Sequence, residues 1–181
     1  ENETAVIFFP EDTYRYTIVG TTTGTYGLEI NIFDSATSTQ FSAVDIPIAT
    51  GTIHQYQIDE PALSRGEHGV TVMVDETGDG IFDYQFSAGA ILADNTAPTS
   101  HLILSGTSGA NNWFVTDVGV SLETEDNDGG VGVRHIEFSL DHGATWQRYI
   151  APFTITQEGV IEVQYRAIDF LGNQEDVQSN M

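Results

Sequence analysis

Apolar and polar residues alternate along most of this chain. Successive side chains of a strand point to opposite faces, so alternation with a period of two predicts strands with one buried face. Glycine, asparagine and aspartate cluster between the runs, as turns require. A short helical turn is expected only over residues 61–64. The pattern therefore predicts an all-β fold with strands centred on residues 14–18, 28–32, 54–58, 70–74, 118–122, 136–140 and 161–167.

A short polar segment with a proline, residues 94–99, interrupts the alternation and suits a fairly stiff linker. We therefore predict two domains, 1–94 and 95–181, each with about six or seven strands. That number of strands favours two tandem β-sandwiches with Ig-like, Greek-key connections. Since a strand-like run follows Glu1 directly, we expect the sequence to belong to a larger parent chain, whose other domains are its partners.

The charge balance excludes several partners. Acidic residues number 27 against five basic ones, all arginine, and the net charge is −22. Nucleic acid and anionic membranes would be repelled, and the longest apolar run, residues 5–9, is too short to insert into a membrane. The chain lacks cysteine, so a cross-link between loops would have to be an oxygen-ligated cation. Adaptation to high salt is an alternative explanation of the acidity.

Residues 75–83 have the spacing of a calcium loop through its ninth position. Gly80 stands where such a loop turns sharply, but Phe86 replaces the glutamate expected at position 12. The site would therefore be borne by a hairpin and completed by water or by other residues. A plain β-hairpin is the alternative, since 77–80 is good turn chemistry. The candidate Ca²⁺ ligands are Asp75, Thr77, Asp79, Ile81 through its carbonyl, and Asp83.

A second acidic cluster predicts another Ca²⁺ site. Asp126 and Asp128 stand in one loop beside Glu125, and Asp169 ends a later strand. Analogy with cadherin-like arrays suggests that these carboxylates, with Asp94 and Asn95 of the linker, hold a cation at the domain junction. A solvated turn over residues 126–130 is the alternative.

The second half, from Thr96 to about Glu175, resembles bacterial Ig-like repeats of the OmpL47-type β-domain group. The first half resembles, less specifically, β-rich tail modules of large secreted bacterial proteins, through residues 26–28 and 72–75. These resemblances imply a β-sandwich and a bacterial origin, but no activity. The segments that carry the resemblance of the second half are 96–99, 113–118, 124–133, 136–143 with Trp146, 152–153, 165–169 and 172–173.

No motif for nucleophilic catalysis or phosphate binding is present, so we do not expect an enzyme. We predict a non-catalytic, calcium-stabilised structural, spacer or adhesion module of a secreted or cell-surface protein. Its partner would be a surface protein or a polysaccharide. The alternative is an accessory carbohydrate-binding module of an extracellular hydrolase, in which Trp113, Trp146 and Tyr149 would form an aromatic platform.

Overall fold

The computed structural model describes residues 2–8, 14–33 and 38–181. Strands dominate these residues, which confirms the predicted all-β fold. The chain forms two compact units, Glu1–Asp94 and Asn95–Met181. None of the helices in the described part is long and apolar enough to cross a membrane.

The first unit contains two four-stranded sheets. One sheet has the order β1-β3-β4-β8, in which β1 runs parallel to β3 and β8 parallel to β4. The other has the order β2-β5-β6-β7 and is antiparallel throughout. The strands are β1 (Asn2–Phe8), β2 (Tyr14–Val19), β3 (Gly24–Phe33), β4 (Ser38–Ile48), β5 (Ile53–Ile58), β6 (Val70–Asp75), β7 (Tyr84–Ala88) and β8 (Ile91–Leu92).

The core of the first unit lies between these sheets. Alternate residues of β3, β5 and β6 are buried, as their period of two predicts. The rings of Phe41 on β4 and Tyr56 on β5 lie 5.7 Å apart, so the two sheets face each other. The Tyr26 hydroxyl lies 2.8 Å from His54 Nδ1 and 2.5 Å from the Tyr56 hydroxyl. These contacts join the sheets through buried polar groups, which strengthens the specificity of the packing.

The predicted helical turn is confirmed as the short helix α1 (Glu60–Ser64). Asp59 caps it, since its carboxylate accepts a hydrogen bond of 3.0 Å from the amide of Ala62. Pro61 stands in the first turn, where its missing N–H costs nothing. Leu63 is buried and anchors the helix to the core.

The second unit contains a three-stranded sheet of order β13-β10-β9 and a four-stranded sheet of order β12-β11-β14-β15. A short turn, Ala110–Asn112, lies between β9 and β10, with Asn111 and Asn112 in the left-handed conformation. The strands are β9 (Thr99–Ser105), β10 (Val118–Glu125), β11 (Val133–Ser139), β12 (Gln147–Arg148), β13 (Phe153–Ile155), β14 (Val163–Asp169) and β15 (Gln178–Asn180).

One core joins the two sheets of the second unit, as in a β-sandwich. It contains Val120 and Leu122 of β10 together with Phe138 of β11 and Tyr165 of β14. The strand boundaries differ from those predicted at two places. β11 ends at Ser139 rather than at residue 140, because the Ser139 hydroxyl hydrogen-bonds within the following turn. β14 begins at Val163 rather than at residue 161.

Candidate functional site

The predicted calcium loop of residues 75–83 connects β6 to β7 as a hairpin. β6 ends at Asp75 and β7 begins at Tyr84. The amide of Asp83 donates to the carbonyl of Val74 at 2.8 Å and closes the hairpin. The predicted alternative, a β-hairpin, therefore describes the backbone, and a cation would have to bind within it.

The carboxylate of Asp75 organises this loop. Its side chain is only 1% exposed. One oxygen accepts the amides of Thr77 and Gly78 at 3.2 and 2.7 Å, and the other accepts the amide of Gly80 at 2.8 Å. Burial raises the pKa of Asp75, but the surrounding amides outweigh it and hold the pKa below its ordinary value of 3.8. The group is therefore an ionised carboxylate held by backbone dipoles.

The remaining predicted ligands of the loop are exposed. Asp79 accepts the amide of Ile81 at 2.8 Å, and Asp83 accepts the amide of Glu76 at 2.7 Å. Thr77 and Ile81 are also exposed. Within the described part of the chain, the three aspartates of this loop are not grouped with ligand oxygens within 4.8 Å of one another. Phe86 packs in the core at 7% exposure, so position 12 supplies no ligand.

The backbone at Gly78 passes close to the backbone at Gly51, which constrains the loop there. Gly78 has a φ of 72°, and a Cβ there would lie 2.6 Å from the carbonyl oxygen of Gly51. Gly66 has a similar φ of 76° but no atom within 4 Å of its added Cβ. A side chain at Gly78 would therefore meet both conformational strain and a clash, whereas at Gly66 it would meet the strain alone.

We expect Gly78→Ala to destabilise the first unit by about 2–4 kcal/mol, since the clash adds to the left-handed strain. Gly66→Ala, the matched control, should cost only about 1–2 kcal/mol. Urea unfolding followed by circular dichroism measures both. Equal losses in the two variants would show that contact with Gly51 does not constrain the loop.

In the second unit, Asp169 ends β14 and is fully buried, at 0% exposure. One carboxylate oxygen accepts the amides of Leu171 and Asn173, both at 2.8 Å. The other accepts the Asn173 side-chain amide at 2.7 Å. The turn after β14 thus folds around this carboxylate, much as the 75–83 loop folds around Asp75.

Asp126 lies in the loop between β10 and β11 and is half-buried. Its two oxygens accept the amides of Asn127 at 3.0 Å and Gly132 at 2.7 Å. The Phe170 amide donates to the Gly132 carbonyl at 3.2 Å, which brings this loop beside the turn after β14. As a result, Asp126 and Asp169 each offer a carboxylate oxygen within 4.8 Å of the other.

The other residues of this predicted cluster are placed differently. Asp128 is exposed in the same loop. Glu125 is exposed at the end of β10. Asp94 is half-buried and ends the first unit. Within the second unit, the structure brings together Asp126 and Asp169, two of the three ligands predicted for it.

Two carboxylates at this separation repel each other. At an effective dielectric constant of about 20, the repulsion between two unit charges 4.8 Å apart is about 3–4 kcal/mol. The cost is aggravated for Asp169 because it is fully removed from water. A divalent cation between the oxygens would turn this repulsion into two attractions.

The three aromatic residues predicted as a platform have different surroundings. The guanidinium carbon of Arg166 lies 4.1 Å from the ring centre of Trp146. A guanidinium nitrogen of Arg166 also forms an ion pair with a Glu137 carboxylate oxygen at 2.8 Å. Tyr149 packs against the core. Trp113 is 53% exposed and lines a cleft of about 310 Å³. Trp113 alone of the three therefore presents a face to that cleft.

Comparison of the chain with known protein families, with characterised proteins and with solved structures finds no match. The resemblance of residues 96–175 to bacterial Ig-like repeats therefore stays a prediction from the sequence.

Proposed function

We propose that this chain is a non-catalytic structural module of a secreted or cell-surface protein, and that Ca²⁺ stabilises it. Its β-sandwich would space or present other domains of the parent chain. The observation that carries the proposal is the fully buried carboxylate of Asp169. One of its oxygens lies within 4.8 Å of a carboxylate oxygen of Asp126. Such a pair is stabilised most directly by a bound cation.

The chemistry of the chain favours Ca²⁺ among the metals. The candidate ligands are carboxylate, hydroxyl and carbonyl oxygens, and hard cations prefer oxygen. The chain has no cysteine, so soft thiolate ligands are absent. Ca²⁺ accepts irregular shells of six to eight oxygens, whereas Mg²⁺ requires near-ideal octahedral geometry. Loops that supply a few carboxylates and backbone carbonyls suit the less demanding ion.

Binding between Asp126 and Asp169 would act on the stability of the second unit. The cation would link the β10–β11 loop to the turn after β14. These two segments lie side by side only in the folded state. A ligand that binds only the folded state adds RT ln(1 + [L]/Kd), about 2.7 kcal/mol at a hundred times Kd. Extracellular modules bind Ca²⁺ with Kd values of about 10⁻⁴–10⁻³ M, and calcium at ten times such a Kd would add about 1.4 kcal/mol.

The loop of residues 75–83 is the second candidate site of this proposal. Its calcium-loop spacing supports it, as does the turn at Gly80, which has a φ of 89°. Asp79 and Asp83 are exposed and would have to reorient to share an ion with Asp75. Substitutions at Asp126 and at Asp79 show separately whether each of the two candidate sites binds Ca²⁺.

Calorimetric titration of the metal-stripped chain with CaCl₂ tests the proposal. We expect saturable binding, and Asp126→Asn should weaken it at least about tenfold, because a charge beside the ion is worth more than about 1.4 kcal/mol. Asp176→Asn removes an exposed carboxylate of the same unit and should bind as the parent chain does. Asp79→Asn reports on the 75–83 loop in the same way.

Two results would contradict the proposal. The first is binding of Mg²⁺ as strong as that of Ca²⁺, which would indicate a diffuse ion atmosphere around the acidic surface. The second is binding that neither Asp126→Asn nor Asp79→Asn reduces.

A further inference from the structure

The cleft beside Trp113 lies wholly within the second unit. Its volume of about 310 Å³ is at the lower end of the range of ligand pockets, about 300–1,000 Å³. It is bounded by the segment between β9 and β10, by the segment between β13 and β14, and by residues 180 and 181. The apolar floor includes Leu104, Ile155 and Val163.

The wall that carries Trp113 is a small preorganised hairpin. Ser108 and Phe114 form an antiparallel bridge, and the amide of Gly109 donates to the carbonyl of Trp113 at 2.6 Å. At its tip, Asn111 and Asn112 have φ values of 55° and 62°. Two consecutive residues in the left-handed region are uncommon outside glycine, and such strain concentrates where ligands bind. The hairpin thus holds two amide side chains and an indole at the cleft.

Besides the indole N–H of Trp113, the polar side chains of the cleft are amides. Asn111, Asn112, Gln157 and Asn180 line it, and none of the described lining residues has a charged side chain. In a chain of net charge −22, a lining without charged side chains favours a neutral ligand over an anion, which the surrounding field would repel. All four amides are exposed, and their side chains form no hydrogen bond with any other described residue. Each amide offers both donors and an acceptor.

These features point to a carbohydrate. A sugar hydroxyl is both donor and acceptor, so amides match it from either side. The indole of Trp113 is a flat apolar surface, 53% exposed, on which the C–H face of a sugar ring can stack. An apolar ligand would leave the four amides without partners, which costs affinity. We propose that this cleft binds one unit of a neutral oligosaccharide, with Trp113 as the stacking platform and Asn112 as a hydrogen-bonding residue.

This site contains no carboxylate side chain among its described residues and is independent of the proposed calcium sites. Titrations in Ca²⁺ and in EDTA, at a temperature where the unit is folded in both, separate the two proposals. Equal sugar affinity in both buffers is expected. Sugar binding by a chain that neither binds Ca²⁺ nor is stabilised by it would support this inference while the calcium proposal fails.

The experiment is a calorimetric titration with six probes: cello-, xylo-, manno-, malto- and chitohexaose, which are neutral, and hexagalacturonate, which is anionic. At least one neutral hexaose should bind, and the galacturonate should not. Trp113→Ala should weaken binding at least about tenfold, and Asn112→Ala by about three- to tenfold. Val115→Ala is the matched control, because Val115 is 67% exposed on the same hairpin and does not line the cleft.

Three outcomes would overturn the inference. The first is failure of all five neutral sugars to bind. The second is binding that Trp113→Ala and Val115→Ala weaken equally. The third is Trp113-dependent binding of Nile red, a neutral apolar dye, by a chain that binds none of the sugars. That third result would assign the cleft to an apolar ligand.

Discussion

Replacing Glu175 by alanine is expected to destabilise the second unit by about 3–5 kcal/mol. The Glu175 carboxylate is buried, at 8% exposure. It accepts the amides of Ser100 and Ala167, both at 3.0 Å, and a short hydrogen bond from the Ser100 hydroxyl. Ser100 belongs to β9 and Ala167 to β14, so one side chain joins the two sheets. Its removal leaves three donors unpaired in the interior.

Tryptophan fluorescence during urea unfolding measures this effect selectively, because both tryptophans, Trp113 and Trp146, lie in the second unit. Glu158→Ala is the matched control, since Glu158 is exposed in the same unit. The control should change the free energy of unfolding by less than about 0.5 kcal/mol. A similarly small loss of unfolding free energy in Glu175→Ala would mean that water replaces the carboxylate. The carboxylate would then not be what holds the two sheets together.

Acidification from pH 6.5 to 4 should destabilise the first unit by up to about 3 kcal/mol through His54. Burial disfavours the imidazolium and lowers the pKa of His54 to about 4 from 6.5, although the nearby charge of Glu76 raises it. Between these values the unfolded chain binds a proton that the folded chain does not. Stability therefore falls as the pH falls, at about 1.4 kcal/mol for each pH unit.

His54→Phe removes this titration whatever it does to the stability at neutral pH. The quantity compared between variant and parent is the change in unfolding free energy from pH 7 to pH 4.5. The first unit contains no tryptophan, so its unfolding is the circular dichroism transition that tryptophan fluorescence does not report. His68→Phe, an exposed histidine of the same unit, should retain the parent's pH dependence. If His54→Phe retains it too, protonation of carboxylates accounts for the acid sensitivity.

The strand pattern could be predicted because burial imposes a period of two on each strand. Tyr56 and Ile58 on β5 show this, as do Val70, Val72 and Val74 on β6. Strand ends were less accurate, because local side-chain hydrogen bonds decide them. Ser139 is buried and bonds to Asp141 at 2.7 Å, which ends β11 before Leu140. An alternation of apolar residues contains no information about such a bond.

The sites show a similar limit. The spacing of residues 75–83 identifies candidate ligand oxygens. It does not show that both carboxylate oxygens of Asp75 already accept hydrogen bonds from backbone amides. Asp126 and Asp169 lie far apart in the sequence and meet only because β11 pairs with β14 beside their loops. Glu175 looked like any other acidic residue, since its burial depends on contacts with β9. Tertiary contacts, rather than local pattern, create these features.

The cleft was also beyond prediction from pattern. The sequence suggests a platform of Trp113, Trp146 and Tyr149, but Trp146 lies against Arg166 and Tyr149 packs on the core. The left-handed conformation of Asn111 and Asn112 depends on the hairpin that carries them. Asparagine tolerates that conformation better than most residues, so an Asn-Asn pair before a tryptophan was the one available signal.

Thermal unfolding of the metal-stripped chain, with Ca²⁺ titrated at fixed ionic strength, tests the central claim most directly. Our account predicts a saturable rise in the melting temperature of the second unit. At a hundred times Kd the gain of about 2.7 kcal/mol corresponds to roughly 10–20 °C for a unit of this size. Mg²⁺ and NaCl should not reproduce the rise, and Asp126→Asn should abolish most of it. A melting temperature that Ca²⁺ leaves unchanged, or that NaCl raises equally, would contradict the account.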